Sequence, residues 1–394
     1  MKHILILGGG FAGLEAAIYL KKADFDVTLI SDRDYFYIYP TSIWVPTREN
    51  EFSDVCVDLL ELQKAHDFNL LIDSVDTISA KENKVTLSSG KVINNYDYLV
   101  VAMGASKMKH KGLENTLSIC GAPEQSLAIR DKIDALIAKG SGKVCFGFGG
   151  NPKDSSAVRG GPGFELMFNL HNTLKKKGIR DNFELTFFAP MPEPGKRMGP
   201  QALKMMGKFF SRLDIKQHFG KKIKMFESDG IIFEDDSKLD SDFTMFIPAG
   251  DGHEVIKKSD LPISEAGFVK TNDYSNVIFE DSDMPTNIYA IGDIASLEGY
   301  EWRAKQGHVA EVMARNVAHN IKQTEDAKND FKGYHEHLNI LCVMDSGDGA
   351  AFIYRDHKRA FMLPMPFVGH WLKKGWGLYC RYSKLGKFPR LPGM

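Results

Sequence analysis

A glycine-rich turn close to the N-terminus constrains the fold of this chain more than any other stretch. Gly8, Gly10 and Gly13 have G-x-G-x-x-G spacing, between the mainly apolar run 2–7 and the helix-forming run 14–22. Glycine at these places permits a tight turn, a close approach of backbone to a pyrophosphate, and close packing of helix on strand. The positive end of the helix then faces the phosphates. The stretch therefore predicts a strand, turn and helix that bind a dinucleotide.

The next predicted strand supports the same interpretation. Residues 27–30 form a short apolar run that ends at Ser31 and Asp32, where a dinucleotide-binding unit places its ribose partner. An acidic residue is usual at the end of this strand, but Ser31 stands there and Asp32 comes next. Either residue is therefore expected to contact the ribose.

Composition narrows the class of protein. With 394 residues, 43% hydrophobic and 26% charged, the chain has the length of two or three domains and an ordinary globular composition. Its net charge of −1 gives no indication of a nucleic-acid partner. The five cysteines are widely spaced and form no C-x-x-C, which argues against a disulfide framework and a metal site. We expect no signal peptide and no membrane-spanning segment.

The order of the predicted elements indicates an α/β fold with two Rossmann-like, three-layer domains. Runs 143–148, 164–170 and 185–188 are typical of a second strand–helix–strand unit, and 287–293 returns to the first domain. The predicted domains are a discontinuous dinucleotide-binding domain of residues 1–110 and 275–330, a second domain of residues 111–274, and a C-terminal, membrane-associating region of residues 331–394.

The second unit lacks the turn that would bind another dinucleotide. The glycines of residues 149–163 are not at G-x-G-x-x-G spacing, and the stretch is too long to bring a pyrophosphate to the next helix. The following strand ends at Ala189 and Pro190, with no acidic residue for a ribose. The sequence therefore disfavours a second dinucleotide, such as NADH, in this unit and keeps it as the alternative.

Residues 8–13, 96–105 and 288–293 together resemble the flavoproteins that have two dinucleotide-binding domains. Over essentially its whole length the chain is similar to the sulfide:quinone oxidoreductases, whose relatives are the flavocytochrome sulfide dehydrogenases and the type-II NADH:quinone oxidoreductases. The resemblance implies FAD as the cofactor. The FAD-binding residues that it implies are Gly8, Gly10, Phe11, Ala12, Gly13, Ser31, Asp32, Arg33, Val75, Ala102, Met103, Gly104, Gly292, Asp293 and Lys305.

The resemblance also implies a catalytic cysteine and the loss of another. Cys342 matches the second of two active-site cysteines in the family, whereas Arg159 stands at the position of the first. Sulfide oxidation needs one thiol to hold sulfur as a persulfide and a second to release it. The sequence leaves open whether Cys120 or Cys145 substitutes, and so whether the donor is sulfide, a persulfide, a thiol or another reductant. Arg159 is suited to bind an anionic donor.

Two further catalytic positions follow from the resemblance. Glu165 matches a family carboxylate near the quinone pocket and would relay a proton to reduced quinone. Lys305 begins a helix whose N-terminus would face the flavin pyrimidine and stabilise the anionic reduced ring. The plainer alternatives are a first-turn glutamate, a surface lysine and, for Cys342, a buried strand residue.

The tail has the pattern of a helix that lies in a membrane surface. From residue 357 onward there are eight Lys/Arg and no Asp/Glu. On a helix, an apolar arc faces away from a basic arc, which predicts insertion into lipid and attraction to anionic headgroups. The alternative is a helix docked on the protein's own core. The apolar arc consists of Val368, Trp371, Leu372, Gly375, Leu378, Tyr379, Tyr382 and Leu385, and the basic arc of Lys373, Lys374, Arg381 and Lys384.

These observations predict a peripheral enzyme of the cytoplasmic membrane that passes two electrons from a small sulfur-containing donor through FAD to a membrane quinone. The expected partners are the quinone and an anionic lipid surface, without nucleic acid, and homo-oligomerisation stays open. Two alternatives remain, a type-II NADH:quinone oxidoreductase and a flavin-bound binding or sensor protein without turnover.

Overall fold

The computed structural model describes residues 1–280 and 287–390. Positions 281–286, in the predicted segment 275–330, and 391–394, at the end of the region 331–394, lie outside the described residues. The helices of the described part are α1 (Phe11–Lys22), α2 (Tyr39–Ser42), α3 (Leu59–His66), α4 (Gln125–Lys139), α5 (Gly161–Lys176), α6 (Pro200–Arg212), α7 (Glu254–Lys257), α8 (Gly307–Glu325) and α9 (Val368–Lys384).

The strands of the described part divide among several sheets, and the two largest, both parallel, carry the fold. In chain order the strands are β1 (His3–Leu7), β2 (Asp26–Ser31), β3 (Tyr35–Tyr37), β4 (Cys56–Asp58), β5 (Asn69–Ile72), β6 (Val75–Ser79), β7 (Lys84–Leu87), β8 (Val92–Ile93), β9 (Tyr98–Val101), β10 (Ser106–Lys107), β11 (Gly142–Phe148), β12 (Phe183–Ala189), β13 (Ile215–Phe219), β14 (Ile223–Glu227), β15 (Gly230–Phe233), β16 (Lys238–Asp240), β17 (Phe243–Ile247), β18 (Gly250–Asp251), β19 (Val269–Lys270), β20 (Ile288–Ala290), β21 (Ala295–Ser296), β22 (Ile340–Asp345), β23 (Gly349–Arg355) and β24 (Ala360–Pro366).

The first parallel sheet has the order β20-β9-β1-β2-β5, so a strand from late in the chain pairs with β9 beside the N-terminal strand. Helices α1 and α8 pack against each other and bury their apolar sides on this sheet. Burial of such continuous apolar strands stabilises the sheet by about 25 cal/mol for each Å² of apolar surface removed from water.

Glycine is required where α1 meets β1. Gly8 has a φ of +110°, and a Cβ there would lie 2.5 Å from the carbonyl oxygen of Ala102. A Cβ on Gly13 would overlap the carbonyl oxygen of Gly8. Larger residues at either position would push the helix off the strand, because neither carbonyl belongs to a side chain that can move.

The second parallel sheet has the order β13-β12-β11-β17. Its core is aromatic: Phe164 of α5 stacks on Phe187 of β12 with ring centroids 4.4 Å apart. Twelve residues, 149–160, separate the end of β11 from the start of α5. They and residues 190–199, which follow β12, lie at the carboxyl edge of the sheet, where α/β proteins bind ligands.

The C-terminal region is an antiparallel sheet, β22-β23-β24, followed by α9. The sheet packs against α5 and α6, and α9 contacts all three of its strands. In the described part of the chain no helix combines the length and the apolar character needed to cross a membrane.

The packing of helix α9 overturns the prediction for two residues of its basic arc, Lys373 and Lys384. Lys373 is 6% exposed and Lys384 is 0% exposed, so these side chains are turned inward and are unavailable to lipid headgroups. The solvent-facing side is apolar, with Val368, Trp371 and Leu372 exposed by 68%, 70% and 51%. The physical reason is that carboxylates of the body face the helix, and a buried ammonium group is stable only beside such a partner.

The end of α9 is held by a buried cluster of ion pairs. Lys384 donates hydrogen bonds to Glu15 of α1, at 3.0 Å, and to Glu311 of α8, at 2.7 Å. Arg390 and Arg315 also pair with Glu15. Burial raises the pKa of Glu15, but these three cations outweigh it and lower that pKa to about 2. The tail is therefore part of the packed body of the protein.

Candidate active site

A cavity of about 1710 Å³ is lined by the N-terminal glycine turn, by the loops at the edge of the second sheet, and by β22 and α9. Almost every predicted site residue lines it. These residues are Gly8, Gly10, Phe11, Ala12, Asp32, Arg33, Val75, Ala102, Met103, Gly104, Arg159, Glu165, Gly292, Asp293, Lys305 and Cys342.

Gly13 and Ser31 are the two predicted residues that do not line the cavity. Gly13 lies beneath the turn, against Gly8. The Ser31 hydroxyl donates to the carbonyl oxygen of Arg33 at 2.7 Å and accepts from the Arg33 N–H at 3.2 Å. Asp32 faces the cavity instead, so of the two alternatives for the ribose it is the one in position to meet a ligand.

Two helix N-termini open into the cavity. A Cβ on Gly10, the residue before α1, would have no atom within 4 Å, so bare backbone faces the cavity there. Among residues 1–280 and 287–390, no side chain caps the first turn of α1 or of α8. Uncapped N–H groups and the positive end of a helix attract anionic groups. The cavity therefore fits a pyrophosphate at the N-terminus of α1 and an electron-rich ring at the N-terminus of α8.

Lys305 lies immediately before α8 and is deeply buried. Its ammonium group donates to the carbonyl oxygen of Ala295 and lies 4.0 Å from the ring centroid of Phe268. Burial lowers the pKa of Lys305 to about 7, with Asp154 acting in the opposite direction. The surface-lysine alternative is therefore wrong, because the side chain is 6% exposed.

Arg159, at the end of the loop that precedes α5, forms an ion pair with Asp293. The pair joins the second sheet's loop to the turn that follows β20. The same loop is held from the other side, since the Lys305 N–H donates to the carbonyl oxygen of Ser156 at 3.0 Å. Residues implied for FAD binding and for donor binding are thus in direct contact.

Glu165, Lys373 and Cys342 form a second group of contacts in the cavity. The Lys373 ammonium donates to Glu165, and Cys342 Sγ lies 3.9 Å from Glu165 Oε1. Burial raises the pKa of Glu165 to about 7 despite the neighbouring ammonium. Burial and Glu165 together raise the pKa of Cys342 to about 12. A protonated carboxyl and a protonated thiol are therefore both accessible near neutral pH.

A hydrogen-bonded network supports this group from behind. Asp345, at the end of β22, accepts hydrogen bonds from Trp44, Asn169 and His370 at 3.0, 2.9 and 2.7 Å. His370 Nε2 lies 3.3 Å from a carboxylate oxygen of Glu49. The hydrogen bond to Asp345, followed by that to Glu49, raises the pKa of His370 to about 9. The network fixes α9 at the angle that directs Lys373 toward Glu165.

Cys120 and Cys145, the two cysteines considered as substitutes, lie in different environments. Cys120 lines the cavity, whereas Cys145 packs in the core beside Phe188 and Phe246, with its Sγ 3.6 Å from the carbonyl oxygen of Asp240. Of the two cysteines considered as substitutes for the missing one, Cys120 alone faces the cavity in the described part of the chain.

Residues 2–320 match the family model described as pyridine nucleotide-disulphide oxidoreductase. This chain belongs to that family. Sulfide-quinone reductase of Aquifex aeolicus is 30% identical over 381 residues, covering 90% of this chain and 84% of the relative. The X-ray structure of the Aquifex aeolicus sulfide:quinone oxidoreductase superposes with a TM-score of 0.86 at 27% identity, covering 98% of this chain and 92% of that one. A type II NADH:quinone oxidoreductase of Staphylococcus aureus is 22% identical, covering 92% and 93%.

Membership of the pyridine nucleotide-disulphide oxidoreductases confirms the α/β fold and FAD as the cofactor. It also makes this chain an oxidoreductase. The glycine turn and the two uncapped helices are the structural features that fit the cofactor. In the described residues no group of three or more His, Cys, Asp or Glu side chains is arranged to hold a metal ion.

Sequence reasoning missed Lys373, Lys107 and His370 as cavity or network residues. Lys373 and His370 fall on a helix whose polar side was assigned to lipid, and their partners come from distant parts of the chain. Lys107 lies in a two-residue strand, which has no periodicity to reveal its direction. A signal was available for the tail alone: eight cations without one acid suit either anionic headgroups or carboxylates from elsewhere in the chain.

Proposed function

We propose that this chain is a FAD-dependent quinone oxidoreductase, which takes two electrons from a small sulfur-containing donor in the cavity and reduces a membrane quinone beside Glu165. The observation that carries the proposal is the contact between Lys373 and Glu165, because it brings a proton-holding pair to the cavity beneath an exposed apolar helix. FAD, when bound, supplies a carrier that accepts an electron pair from one substrate and gives it to another.

Glu165 and Lys373 are the residues proposed to handle protons. Quinone reduction consumes two protons, and a general acid works best when its pKa is close to the working pH. The pKa of about 7 for Glu165 meets that condition. The Lys373 ammonium beside it favours negative charge, either on the carboxylate or on a reduced quinone oxygen.

The quinone would enter from lipid along the exposed side of α9. Trp371 and Leu372 are exposed and also line the cavity, so its mouth opens on the apolar surface. Leu341 of the neighbouring sheet shares both properties. The surface is proposed to insert among acyl chains, with little help from headgroup charge because Lys373 and Lys384 of the basic arc are turned inward.

Cys342 is proposed to act on the sulfur donor together with Glu165. A thiol with a pKa of about 12 is not a ready nucleophile, so a base must accept its proton, and Glu165 Oε1 lies 3.9 Å from Sγ. Cys120 is the thiol proposed to stand in for the missing family cysteine. Arg159 and Lys305 complete the proposed catalytic set.

Steady-state and single-turnover assays test the proposal. The FAD-loaded protein in lipid vesicles should reduce a long-chain quinone with sulfide or a persulfide as donor. The Staphylococcus relative gives NADH as the second candidate donor. The twelve-residue loop before α5 disfavours it, because that loop cannot place a pyrophosphate on the helix N-terminus. Flavin reduction by no donor of the panel would support a protein without turnover.

A further inference from the structure

One part of the cavity lining carries more positive charge than its neighbours neutralise. Lys107, Arg159, Arg197 and Lys305 all line the cavity, and the acids that face them are Asp154 and Asp293. At the mouth Glu193 and Glu301 accompany Lys196 and Arg303, so those charges balance. Two interior cations therefore lack a matching carboxylate in the described residues.

Lys107 is the clearest of these cations. In the described part of the chain no carboxylate contributes to its pKa, which burial and Arg159 together lower to about 8, while Cys120 acts in the opposite direction. Lys107 is thus within electrostatic range of both Arg159 and Cys120. Holding two cations together away from water is unfavourable unless an anion joins them.

The backbone explains why Lys107 and Arg159 meet. Lys107 pairs with Gly250 in the two-stranded sheet of β10 and β18. The loop that carries Arg159 packs on the same glycine: Asn151 donates to its carbonyl oxygen at 2.9 Å, and a Cβ there would lie 3.3 Å from Ala157 Cβ. The glycine permits this close approach and so sets the spacing of the two cations.

Arg197 supplies a further N–H donor and contacts the residue that precedes Arg159. Its Nη2 donates to the carbonyl oxygen of Val158 at 2.6 Å, while its Nη1 is buried and has no hydrogen-bond partner among the described residues. Arg355 donates to the Arg197 carbonyl oxygen at 2.7 Å and fixes the turn. A buried N–H group without a partner costs free energy. Such a group is typical of a site where a ligand accepts the hydrogen bond.

We propose that Lys107, Arg159 and Arg197 form a subsite for a small sulfur anion, so that the electron donor binds as an anion beside Cys120. This inference rests on the proposed function and deepens it, because it assigns a charge to the donor and a residue set to its recognition. Sulfur anions with the charge on sulfur or on sulfur-bound oxygen have the size and the acceptors that three converging cationic groups recognise.

Binding of redox-inert anions to the oxidised, FAD-loaded protein tests the subsite. Sulfate and thiocyanate are titrated by calorimetry and by the change in flavin absorbance. We expect saturable binding that weakens with added chloride, is at least tenfold weaker in Lys107→Met, and is restored in Lys107→Arg. Lys109→Met is the matched control, because Lys109 is exposed and does not line the cavity, and it should bind as the unaltered chain does.

Equal affinity in Lys107→Met and the unaltered chain, or no saturable binding, would overturn the subsite. Loss of FAD from Lys107→Met would also overturn it, since the lysine would then neutralise the cofactor. Reoxidation of dithionite-reduced protein by quinone distinguishes the two proposals. If quinone reoxidises the flavin but anions do not bind, the subsite alone fails; if anions bind but quinone does not react, the proposed function fails.

Discussion

Lys373 of the tail helix donates a hydrogen bond to Glu165, which precedes it by 208 residues. The pair joins the helix proposed to touch lipid to the helix that begins at the edge of the second sheet. Each partner is buried, so neither charge is stable without the other, and removal of one typically costs 3–5 kcal/mol. This one contact therefore links the residue proposed to exchange protons with the helix proposed to bind the membrane.

Glu165→Gln should slow quinone reduction by about 10²-fold or more, because the amide cannot exchange a proton. The rate at which a chemical reductant such as dithionite reduces FAD should be unchanged. Stopped-flow reoxidation by quinone measures the effect, and in the unaltered chain the rate should depend on pH around 7, the pKa given to Glu165. Glu184→Gln is the control, because Glu184 lies in β12, pairs with Lys216 and does not line the cavity. A pH-independent, unaltered rate in Glu165→Gln would remove Glu165 from the mechanism.

Cys342→Ser should lower flavin reduction by sulfur donors at least tenfold and leave FAD bound. The hydroxyl preserves the size of the side chain but cannot hold sulfur. Anaerobic absorbance of the flavin measures the rate, with Cys56→Ser as the control because Cys56 does not line the cavity. An unchanged rate would make Cys342 a packing residue of β22.

His370 should stabilise the docked tail in a pH-dependent way. Its pKa is raised from 6.5 to about 9 in the folded chain, so the stabilisation is fully present below pH 6.5 and is lost as the pH rises through 9. His370→Gln leaves Asp345 buried without its cation and should cost about 1.5–3 kcal/mol at neutral pH. Thermal unfolding between pH 6 and 10 tests this. Equal pH dependence in the variant and the unaltered chain would contradict it.

Membrane binding should depend on apolar contacts and hardly on salt. Trp371→Ser with Leu372→Ser should abolish sedimentation with vesicles while leaving FAD bound, because both side chains project into solvent. Zwitterionic and anionic vesicles should bind the unaltered chain alike, since Lys373 and Lys384 are paired inside the protein. Binding only to anionic vesicles, and its loss at 0.5 M salt (roughly three times the physiological ionic strength), would support attraction to lipid headgroups instead.

Removal of residues 370–394 should unfold the protein or cause it to lose FAD. Truncation leaves Glu15 and Glu311, on the two helices that flank the glycine turn, without Lys384. Arg315 remains beside Glu15, but buried carboxylates that lose most of their cationic partners destabilise a protein by several kcal/mol. FAD content and thermal stability of the truncated chain measure this, and a stable, yellow truncated protein would show that the tail is separable.

The sequence was sufficient where the determining interactions are local. Gly8 and Gly13 could be recognised because the turn, the strand and the helix that require them are adjacent in the chain. Apolar alternation on α9 likewise predicted a two-sided helix. Which side faces inward was not predictable, because it depends on Glu165 and Glu15, which lie 208 and 369 residues away from their lysines.

Rapid mixing of the anaerobic, FAD-loaded protein, first with a donor and then with a quinone in vesicles, tests the central claim most directly. We predict that sulfide or a persulfide bleaches the flavin much faster than NADH or NADPH at the same concentration. A long-chain quinone should then restore the oxidised spectrum, faster in the unaltered chain than in Glu165→Gln. Fast bleaching by micromolar NADH, or a flavin that quinone cannot reoxidise, would contradict the account.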